Sequence, residues 1–258
     1  MSKRGQVTIF IVVGIVIIVV ISMFVVFKGK NEGISSSGVS TENPQYFISK
    51  CVEEATNEAI EKILPQGGVI STEGRVTKEY LGKKIVYSCY NQGFYEQCTN
   101  QNPAMINSVV EEITNYVRPI TDNCFVNLKN DYEKKGAIID VGNSNEMIIK
   151  TEITKGKITI NIKRKITISD KGTTTSYEEY KTSINSPLYE LLKTAIIITN
   201  QESLFCHAEY LGMMINNPEI IISRTEIGGV EEIYGIKDRS TEEELMIAIK
   251  GCSIPTGI

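Results

Sequence analysis

The six cysteines are the residues of this chain whose chemistry is easiest to infer from type and spacing. They are Cys51, Cys89, Cys98, Cys124, Cys206 and Cys252. An even number confined to one part of a chain predicts disulfides, here three, although 15 pairings are formally available. A metal cluster would need close pairs such as C-x₂-C with histidine partners, and the chain has neither. Buried free thiols are the alternative, since cysteine packs well as a small apolar residue.

The stretch CYNQGFYEQC, residues 89–98, predicts one pairing directly. A two-residue turn at Gly93-Phe94 would be of type II′, which favours glycine at its first position. Strands on either side of that turn would place Cys89 opposite Cys98, at a separation that suits a disulfide. We therefore predict a Cys89–Cys98 clasp across a hairpin.

Two apolar stripes of helical spacing predict a second pairing, between Cys51 and Cys124. Cys51 lies on the first stripe and Cys124 follows the second. The first stripe is Phe47, Ala55, Ala59 and Ile63, and the second is Ile106, Val109, Ile113 and Tyr116. The bond would cross-link two packed helices and close a long loop, which is worth roughly 4 kcal/mol in chain entropy. Cys206 and Cys252 are then paired by elimination.

Residues suited to catalysis or metal binding are scarce. His207 is the only histidine, which removes most metal and triad schemes, and no nucleophile elbow, P-loop or G-x-G-x-x-G follows a predicted strand. Acidic groups recur along the chain, and solvated helix or strand faces account for them. They are Glu53-Glu54, Glu111-Glu112, Glu178-Glu179 and the run Glu242 to Glu244. The sequence predicts no catalytic residue, no cofactor and no metal.

An aromatic cluster surrounds the predicted hairpin tip. Its members are Tyr87, Tyr90, Phe94 and Tyr95. Exposed tyrosines are common contact residues, because they offer apolar area with a polar end. Packing of alternate members into the core is the competing interpretation, so the cluster is a candidate contact surface with that alternative open.

The elements that must position these residues form an α+β pattern. One helix is predicted after Asn43-Pro44 and stops at PQGG, residues 65–68; a second follows Pro103 and ends near Pro119. Period-two alternation in KITINIKRKITIS, residues 157–169, predicts a strand whose apolar face is interrupted by Arg164.

Turns and further periodic segments extend this pattern. Turns at Lys155-Gly156 and at residues 169–172 predict an antiparallel sheet. A long helical stretch is predicted over residues 187–216, although its IIIT core, residues 196–199, is also compatible with a strand. Three strand candidates follow it: EIIISRT, VEEIYGIKD and ELMIAIKG. The predicted fold is an N-terminal transmembrane helix followed by a disulfide-stapled ectodomain of helices and antiparallel sheet.

The domain organisation is predicted from changes in composition. Residues 1–7 are a cytoplasmic leader, 8–27 a transmembrane helix and 28–43 a flexible linker rich in Gly, Ser and Asn. Residues 44–128 form a helical and hairpin subdomain, and residues 129–258 a subdomain of antiparallel sheet and a long helix.

The segment from Thr8 to Phe27 has 20 residues without a charge. A helix of that length spans about 30 Å, the thickness of a bilayer's hydrocarbon core. A cleaved secretory signal is disfavoured, because its apolar region is about 7–15 residues long and is followed by small residues. The flanking lysines and arginine give a slight preference for a cytoplasmic N-terminus. The cysteines favour an extracellular C-terminal part more strongly.

The charge balance excludes one class of partner. Residues 1–27 contain Lys3 and Arg4, so the remainder has 25 basic and 31 acidic residues and a net charge of −6. Nucleic-acid binding depends on Lys and Arg that neutralise phosphates, so no nucleic acid is expected as a partner. The expected partners are the lipid bilayer, through residues 8–27, and surface proteins or a second copy of the chain.

The start KRGQVTIFIVVGIVIIVVI resembles the class III, type IV prepilin-like leaders of archaeal surface proteins. The resemblance implies peptidase cleavage between Gly5 and Gln6. The helix CVEEATNEAIEKILPQGG and the later VEEITNYVRPITDNC resemble an uncharacterised family of single-pass exported archaeal proteins. Many pilins carry Glu at the fifth position after the cut, whereas this chain has Phe10.

These observations lead to one functional expectation and two alternatives. The expectation is a single-pass, membrane-anchored extracellular protein with a structural or interaction role at the archaeal cell surface. The first alternative is a type IV pilin-like filament subunit or a pilus-associated component. The second is a membrane-tethered enzyme.

Overall fold

A computed structural model describes residues 43–93 and 96–251. The predicted leader and transmembrane helix, and the linker before Asn43, lie outside these ranges and stay predictions. The helices are α1 (Pro44–Ile63), α2 (Met105–Lys134), α3 (Leu188–Phe205) and α4 (Tyr210–Asn216). The strands are β1 (Thr77–Tyr80), β2 (Lys83–Tyr90), β3 (Thr99–Asn100), β4 (Ile138–Asp140), β5 (Ile148–Thr154), β6 (Lys157–Asp170), β7 (Thr173–Asn185), β8 (Ile220–Ile227), β9 (Glu231–Asp238) and β10 (Glu244–Lys250). The α+β class is confirmed.

Helix α1 begins where the sequence predicts. The Asn43 side chain accepts hydrogen bonds from the backbone N–H groups of Gln45 (3.0 Å) and Tyr46 (3.2 Å), and proline occupies the first helical position. After a 3₁₀ turn the chain reverses at Gly67, whose φ is +81°. A Cβ atom on Gly67 would lie 2.8 Å from the carbonyl oxygen of Val86, so this turn requires glycine.

Helix α2 is longer than predicted. It continues through Pro119 to Lys134, so the predicted end near the proline is wrong. Proline in a helix interior costs about 3 kcal/mol. The residues after it keep helical spacing, and Cys124, Phe125 and Leu128 are buried. Burying large apolar side chains recovers about 1.5–3 kcal/mol each, which is enough to continue the helix.

The first sheet combines early and late segments of the chain. Its strand order is β1-β2-β10-β9-β8, with β3 also paired to β2. Strand β2 pairs parallel with β10, whereas the pairs β1–β2, β9–β10 and β8–β9 are antiparallel. The predicted division after residue 128 is therefore not seen, because that position lies within α2 and strands from both sides share this sheet.

The second sheet is antiparallel and is built around the long strand β6. Strand β7 pairs with one side of β6, and β5 and β4 pair in succession with the other. The predicted turns at Lys155-Gly156 and residues 169–172 are confirmed, because each joins two of these strands. Helices α1 and α2 pack against each other and contact β7 and β5, respectively.

Arg164 interrupts the apolar face of β6 because it is itself buried, with 6% of its surface exposed. Its guanidinium donates to the carbonyl oxygens of Val141 (2.7 Å) and Gly142 (3.2 Å) and to Asp122 Oδ1 (2.6 Å). The same group lies over the ring of Phe125, 4.6 Å from the centroid. These contacts satisfy the buried charge and join β6 to α2.

The helical stretch predicted over residues 187–216 is two helices. Helix α3 ends at Phe205, and Cys206 adopts a left-handed conformation with φ +54°. Glu202 stabilises the break, since its carbonyl oxygen accepts from the N–H of Cys206 (3.0 Å) and its Oε1 from that of Ala208 (3.0 Å). Helix α3 packs on β10, β9 and β2, and α4 contacts the edge strand β8.

Candidate functional site

The disulfides agree with the predicted pairings within the described residues. Cys51 bonds to Cys124, joining α1 to α2 with 6.3 Å between the Cα atoms. Cys89 bonds to Cys98, with 5.3 Å between the Cα atoms. Cys206 is also disulfide-bonded. Its predicted partner, Cys252, lies outside the described residues.

The clasp around Cys89 and Cys98 has a different register from the one predicted. Strand β2 pairs Cys89 with Asn100 and Tyr90 with Thr99, so a longer loop replaces the two-residue turn. Asn91 organises this loop: its side chain donates to the carbonyl oxygen of Gln97 (3.0 Å) and accepts from the N–H of Gly93 (3.0 Å). The predicted register is wrong because the local hydrogen bonds of Asn91 stabilise a longer loop; Phe94 of the predicted turn lies outside the described residues.

The aromatic cluster divides between the core and positions that are not described. Tyr87 is 4% exposed and packs with the core of the first sheet, so the structure does not place it on a contact surface. The ring of Tyr90 is partly exposed and lies 5.1 Å from that of Tyr87, with the Lys250 ammonium 5.3 Å from its centroid. Phe94 and Tyr95 lie outside the described residues. Among the described members of the aromatic cluster, only Tyr90 is partly exposed.

A charged group supports Tyr87 inside the first sheet. Its hydroxyl donates to Glu231 Oε1 (2.7 Å), and Glu231 also forms an ion pair with Lys78. Burial, followed by the Glu231 hydrogen bond, raises the pKa of Tyr87. Burial alone would raise the pKa of Glu231, but Lys78 and Tyr87 hold it below its usual value. The arrangement keeps Tyr87 protonated and fixes β1 and β2 to β9.

The residues considered for catalysis lie apart and are largely solvated. His207 is exposed, and its Nε2 lies 4.0 Å from Glu209 Oε2. Several members of the acidic pairs form ion pairs with neighbouring cations. These are Glu53 with Lys50, Glu112 with Arg75, Glu179 with Lys163 and Glu242 with Lys237. Within residues 43–93 and 96–251, no group of three His, Cys, Asp or Glu side chains could hold a metal ion.

A concave surface in the described part of the chain lies beside α3 and α4, and we call it the α3–α4 groove. Its volume is about 800 Å³. The apolar part is formed by Pro187, Ile197, Met213, Ile220 and Ile222. Ligand sites typically combine such an apolar lining with a few polar groups at fixed positions.

The polar groups of the groove come from distant parts of the chain. They include Lys155, Asn185, Glu190, Lys193, Asn217 and Asp238. Glu190 accepts weakly from the N–H of Gly156 (3.4 Å), which fixes the β5–β6 turn to α3. Burial alone would raise the pKa of Asp238. Hydrogen bonds from Ser240 and Thr241, at 2.6–3.1 Å, hold that pKa below its usual value.

These two carboxylates therefore organise backbone turns at the rim of the groove. Neither forms part of a described nucleophile–base pair, and lysines and carboxylates are interspersed along the rim. The groove suits binding of an amphipathic group better than proton transfer. Sequence reasoning missed it because its lining joins the β5–β6 turn, both late helices and the β8–β9 edge.

A buried acidic network lies beneath the break between α3 and α4. Glu202 is 2% exposed and accepts from the hydroxyl of Tyr234 (2.5 Å), which also contacts Glu232 Oε2 (2.9 Å). Glu232 forms an ion pair with Arg224. Burial raises the pKa of Glu202, partly opposed by the Tyr234 hydrogen bond. No sequence pattern distinguishes Glu202 from the solvated glutamates.

A second depression, of about 730 Å³, lies between the start of α1 and the second sheet. Its lining includes Lys150, Lys163 and Lys181. Two of these cations form ion pairs, Lys150 with Glu152 (2.7 Å) and Lys163 with Glu179 (2.9 Å). The depression is therefore close to neutral and does not favour an anionic ligand.

Among the helices within residues 43–93 and 96–251, none is both long and apolar enough to cross a membrane. The predicted span, residues 8–27, lies outside those ranges. No protein-family model, curated protein or solved structure matches the chain.

Proposed function

We propose that this chain is a single-pass membrane protein whose disulfide-stapled domain lies outside the cell and has a structural or interaction role. The anchor is the uncharged segment from Thr8 to Phe27. The leader before it is cytoplasmic, and KRGQ supplies a prepilin-type cleavage site between Gly5 and Gln6. The supporting resemblance is to archaeal surface proteins.

The observation that carries the location is the bonded state of the cysteines. Every cysteine in the described part of the chain is disulfide-bonded. Disulfides persist in oxidising compartments and are rare in the cytosol, so they support an extracellular domain. This evidence is independent of the hydropathy of residues 8–27 and of the flanking charges.

The role is one of interaction or structure because the described carboxylates hold the fold together. Asp238 and Glu190 stabilise turns at the groove, and Glu231 holds Tyr87. A concave surface of about 800 Å³ with an apolar lining remains for contact with another molecule. A filament role is the second candidate, supported by KRGQ and opposed by Phe10.

The location is tested on intact cells that carry the full chain. An impermeant thiol reagent is applied before and after mild reduction, and the chain is then extracted in detergent and weighed by mass spectrometry. We expect labelling only after reduction, and a mass that lacks residues 1–5. If the cysteines are labelled without any reduction, but only after the cells are lysed, the domain lies in the cytosol and the proposal is refuted.

The same preparation separates the anchor from the filament. Shearing removes pili from cells without dissolving the membrane. We expect the chain in the detergent extract and not in the sheared fraction. Recovery in sheared filaments would replace the anchored role with the pilin-like role while leaving the export of the domain intact.

A further inference from the structure

The most exposed large apolar side chains of the described helices gather where α3 ends and α4 begins. They are Leu204, Phe205, Leu211 and Ile215, each with 56–81% of its surface exposed, and we call them the apolar corner. All four lie within twelve consecutive residues. Single exposed apolar residues are ordinary, whereas a group of them marks a contact surface.

The end of α3 turns its last two apolar residues out of the core. The buried face of this helix ends at Glu202, and Cys206 then breaks the helix in a left-handed conformation. Leu204 and Phe205 belong to the final turn, after the last buried position, so both side chains face solvent.

Helix α4 exposes the other two residues of the corner. Leu211 and Ile215 are four positions apart, so they share one face of the helix. Met214 holds a different side of α4 against the domain, because its sulfur accepts a hydrogen bond from the N–H of Ile222 in β8 (3.1 Å). The short helix is therefore attached through one side and leaves Leu211 and Ile215 exposed.

Charge is nearly absent from this part of the chain. Between residues 194 and 218 the charged residues are Glu202 and Glu209, two of 25, whereas 22% of the whole chain is charged. Glu202 is buried, and Glu209 accepts a hydrogen bond from the N–H of Gly212 (3.3 Å). A charge in the hydrocarbon region of a bilayer is costly, so the scarcity of charge suits a surface that enters an apolar phase.

The size of the apolar corner favours a lipid surface over a second protein. A large side chain presents about 150–250 Å² when fully exposed, so these four together offer roughly 500 Å². A stable protein–protein interface buries about 800 Å² on each partner and has complementary shape. A bilayer accommodates protruding side chains without a matching surface, so a smaller area suffices.

The proposed anchor keeps a bilayer within reach of the corner. The linker of residues 28–43 has 16 residues, so its root-mean-square length is about 22 Å and its full extension roughly 55 Å. A folded domain of about 200 residues is about 45 Å across, so every part of its surface can meet the membrane. Tethering also makes docking intramolecular, at an effective concentration on the order of millimolar, so even a weak contact is occupied.

We propose that the apolar corner docks on the outer leaflet of the membrane that carries the anchor, with its four side chains below the headgroups. Docking in this form depends on the proposed single-pass anchor. It adds a second lipid contact to that of residues 8–27 and fixes the orientation of the domain. Because α4 also lines the α3–α4 groove through Met213 and Asn216, docking brings the groove beside the headgroups.

A single tryptophan reports the docking. The chain contains no tryptophan, so Phe205→Trp introduces one reporter at the corner. The full-length variant is reconstituted into phosphatidylcholine vesicles whose acyl chains are either ordinary or brominated, since bromine quenches a neighbouring tryptophan. We expect emission at shorter wavelength than in water, and loss of most of that emission with brominated lipid. Leu81→Trp, at the exposed turn between β1 and β2, is the matched control and should keep its emission.

Negative charge at the corner should release it from the bilayer. In the Phe205→Trp chain, Leu211→Asp and Ile215→Asp should each lower the ratio of docked to undocked chains about tenfold, because each removes one lipid-buried apolar side chain. Ile138→Asp, at an exposed apolar position on β4, should leave the quenching unchanged. All three positions are exposed, so the fold tolerates the changes, which circular dichroism verifies.

Flotation with the vesicles separates docking from the anchor itself. A chain that does not float has no anchor and refutes both proposals. A chain that floats, but whose tryptophan at position 205 responds to aqueous iodide and not to brominated lipid, refutes docking alone. A tryptophan shielded from both quenchers is covered by protein and also refutes docking; sedimentation velocity in detergent then distinguishes a second copy from the chain's own residues 252–258.

Discussion

The two assigned disulfides close loops of very different length, and this difference predicts an order of stability. The first double variant combines Cys51→Ala with Cys124→Ala and removes the bond between α1 and α2. The matched control is Cys89→Ala with Cys98→Ala, which removes the clasp after β2. Each double variant deletes two sulfur atoms, and three of the four cysteines are buried. Packing losses are therefore comparable, and loop length is the main difference.

The magnitudes follow from the entropy of loop closure in the unfolded chain. The first bond separates its cysteines by 73 residues, which corresponds to about 4.4 kcal/mol. The second separates its cysteines by 9 residues, which corresponds to about 2.6 kcal/mol. A domain of this size loses about 2–4 °C of melting temperature per kcal/mol. The expected decreases are therefore about 9–18 °C and about 5–10 °C.

The assay is thermal unfolding of the full chain in a non-denaturing detergent, followed by circular dichroism. Wild-type and both double variants are compared in one buffer, and the bonding of the remaining cysteines is checked by mass. A larger loss for the variant lacking the short-loop clasp would contradict the entropic explanation. Equal losses would indicate that buried packing around the sulfurs, and not loop length, sets the effect.

Two further predictions concern buried charges. Arg164→Met should lower the free energy of unfolding by about 2–3 kcal/mol, because it removes one donor from Asp122 and the donor of two carbonyl oxygens. The exposed control Lys165→Met should change the free energy of unfolding by less than about 0.5 kcal/mol. Equal effects of the two substitutions in denaturant titrations would contradict this. Burial raises the pKa of Glu202, so the stability of wild type falls as pH rises from the usual pKa of a glutamate through the raised pKa. Glu202→Gln keeps an uncharged side chain and should therefore gain stability relative to wild type over that pH range. A gain that shrinks as pH rises would refute the assignment.

The sequence predicted the elements whose signals are local. The start of α1 follows from Asn43 as a cap and from proline at the next position, and both act within one turn. Strand β6 follows from strict alternation of isoleucines, because one of its faces is buried along most of its length. The disulfide between α1 and α2 follows from the stripes that pack these helices together.

The errors arise where packing outweighs a local signal. A proline such as Pro119 usually ends a helix, yet the buried residues beyond it continue α2 for about four more turns. Glycine at position 93 suggested a tight turn, yet Asn91 holds a longer loop. The parallel pairing of β2 with β10 joins residues about 160 positions apart, and no local pattern in either strand specifies that pairing.

The candidate site could not be predicted for a related reason. The α3–α4 groove depends on the break at Cys206, which turns α4 toward β8. That break depends on a buried glutamate in the otherwise uncharged buried face of α3, and the sequence contains many glutamates. Arg164 was more informative than Glu202. A charge on the apolar face of a strand indicates that the charge has a partner in the fold, but only the structure identifies that partner as Asp122.

Each described disulfide has a cysteine at, or close in sequence to, a place where the backbone departs from its local preferences. Cys124 follows the proline that α2 must accommodate, Cys98 ends the loop that replaced a tight turn, and Cys206 occupies the left-handed break after α3. Consistency between local preference and fold is what normally gives a sequence one structure. A covalent bond at each inconsistent position limits the alternative structures open to the unfolded chain. The oxidised state therefore contributes both stability and a single fold, and a reducing compartment would remove both at these three places.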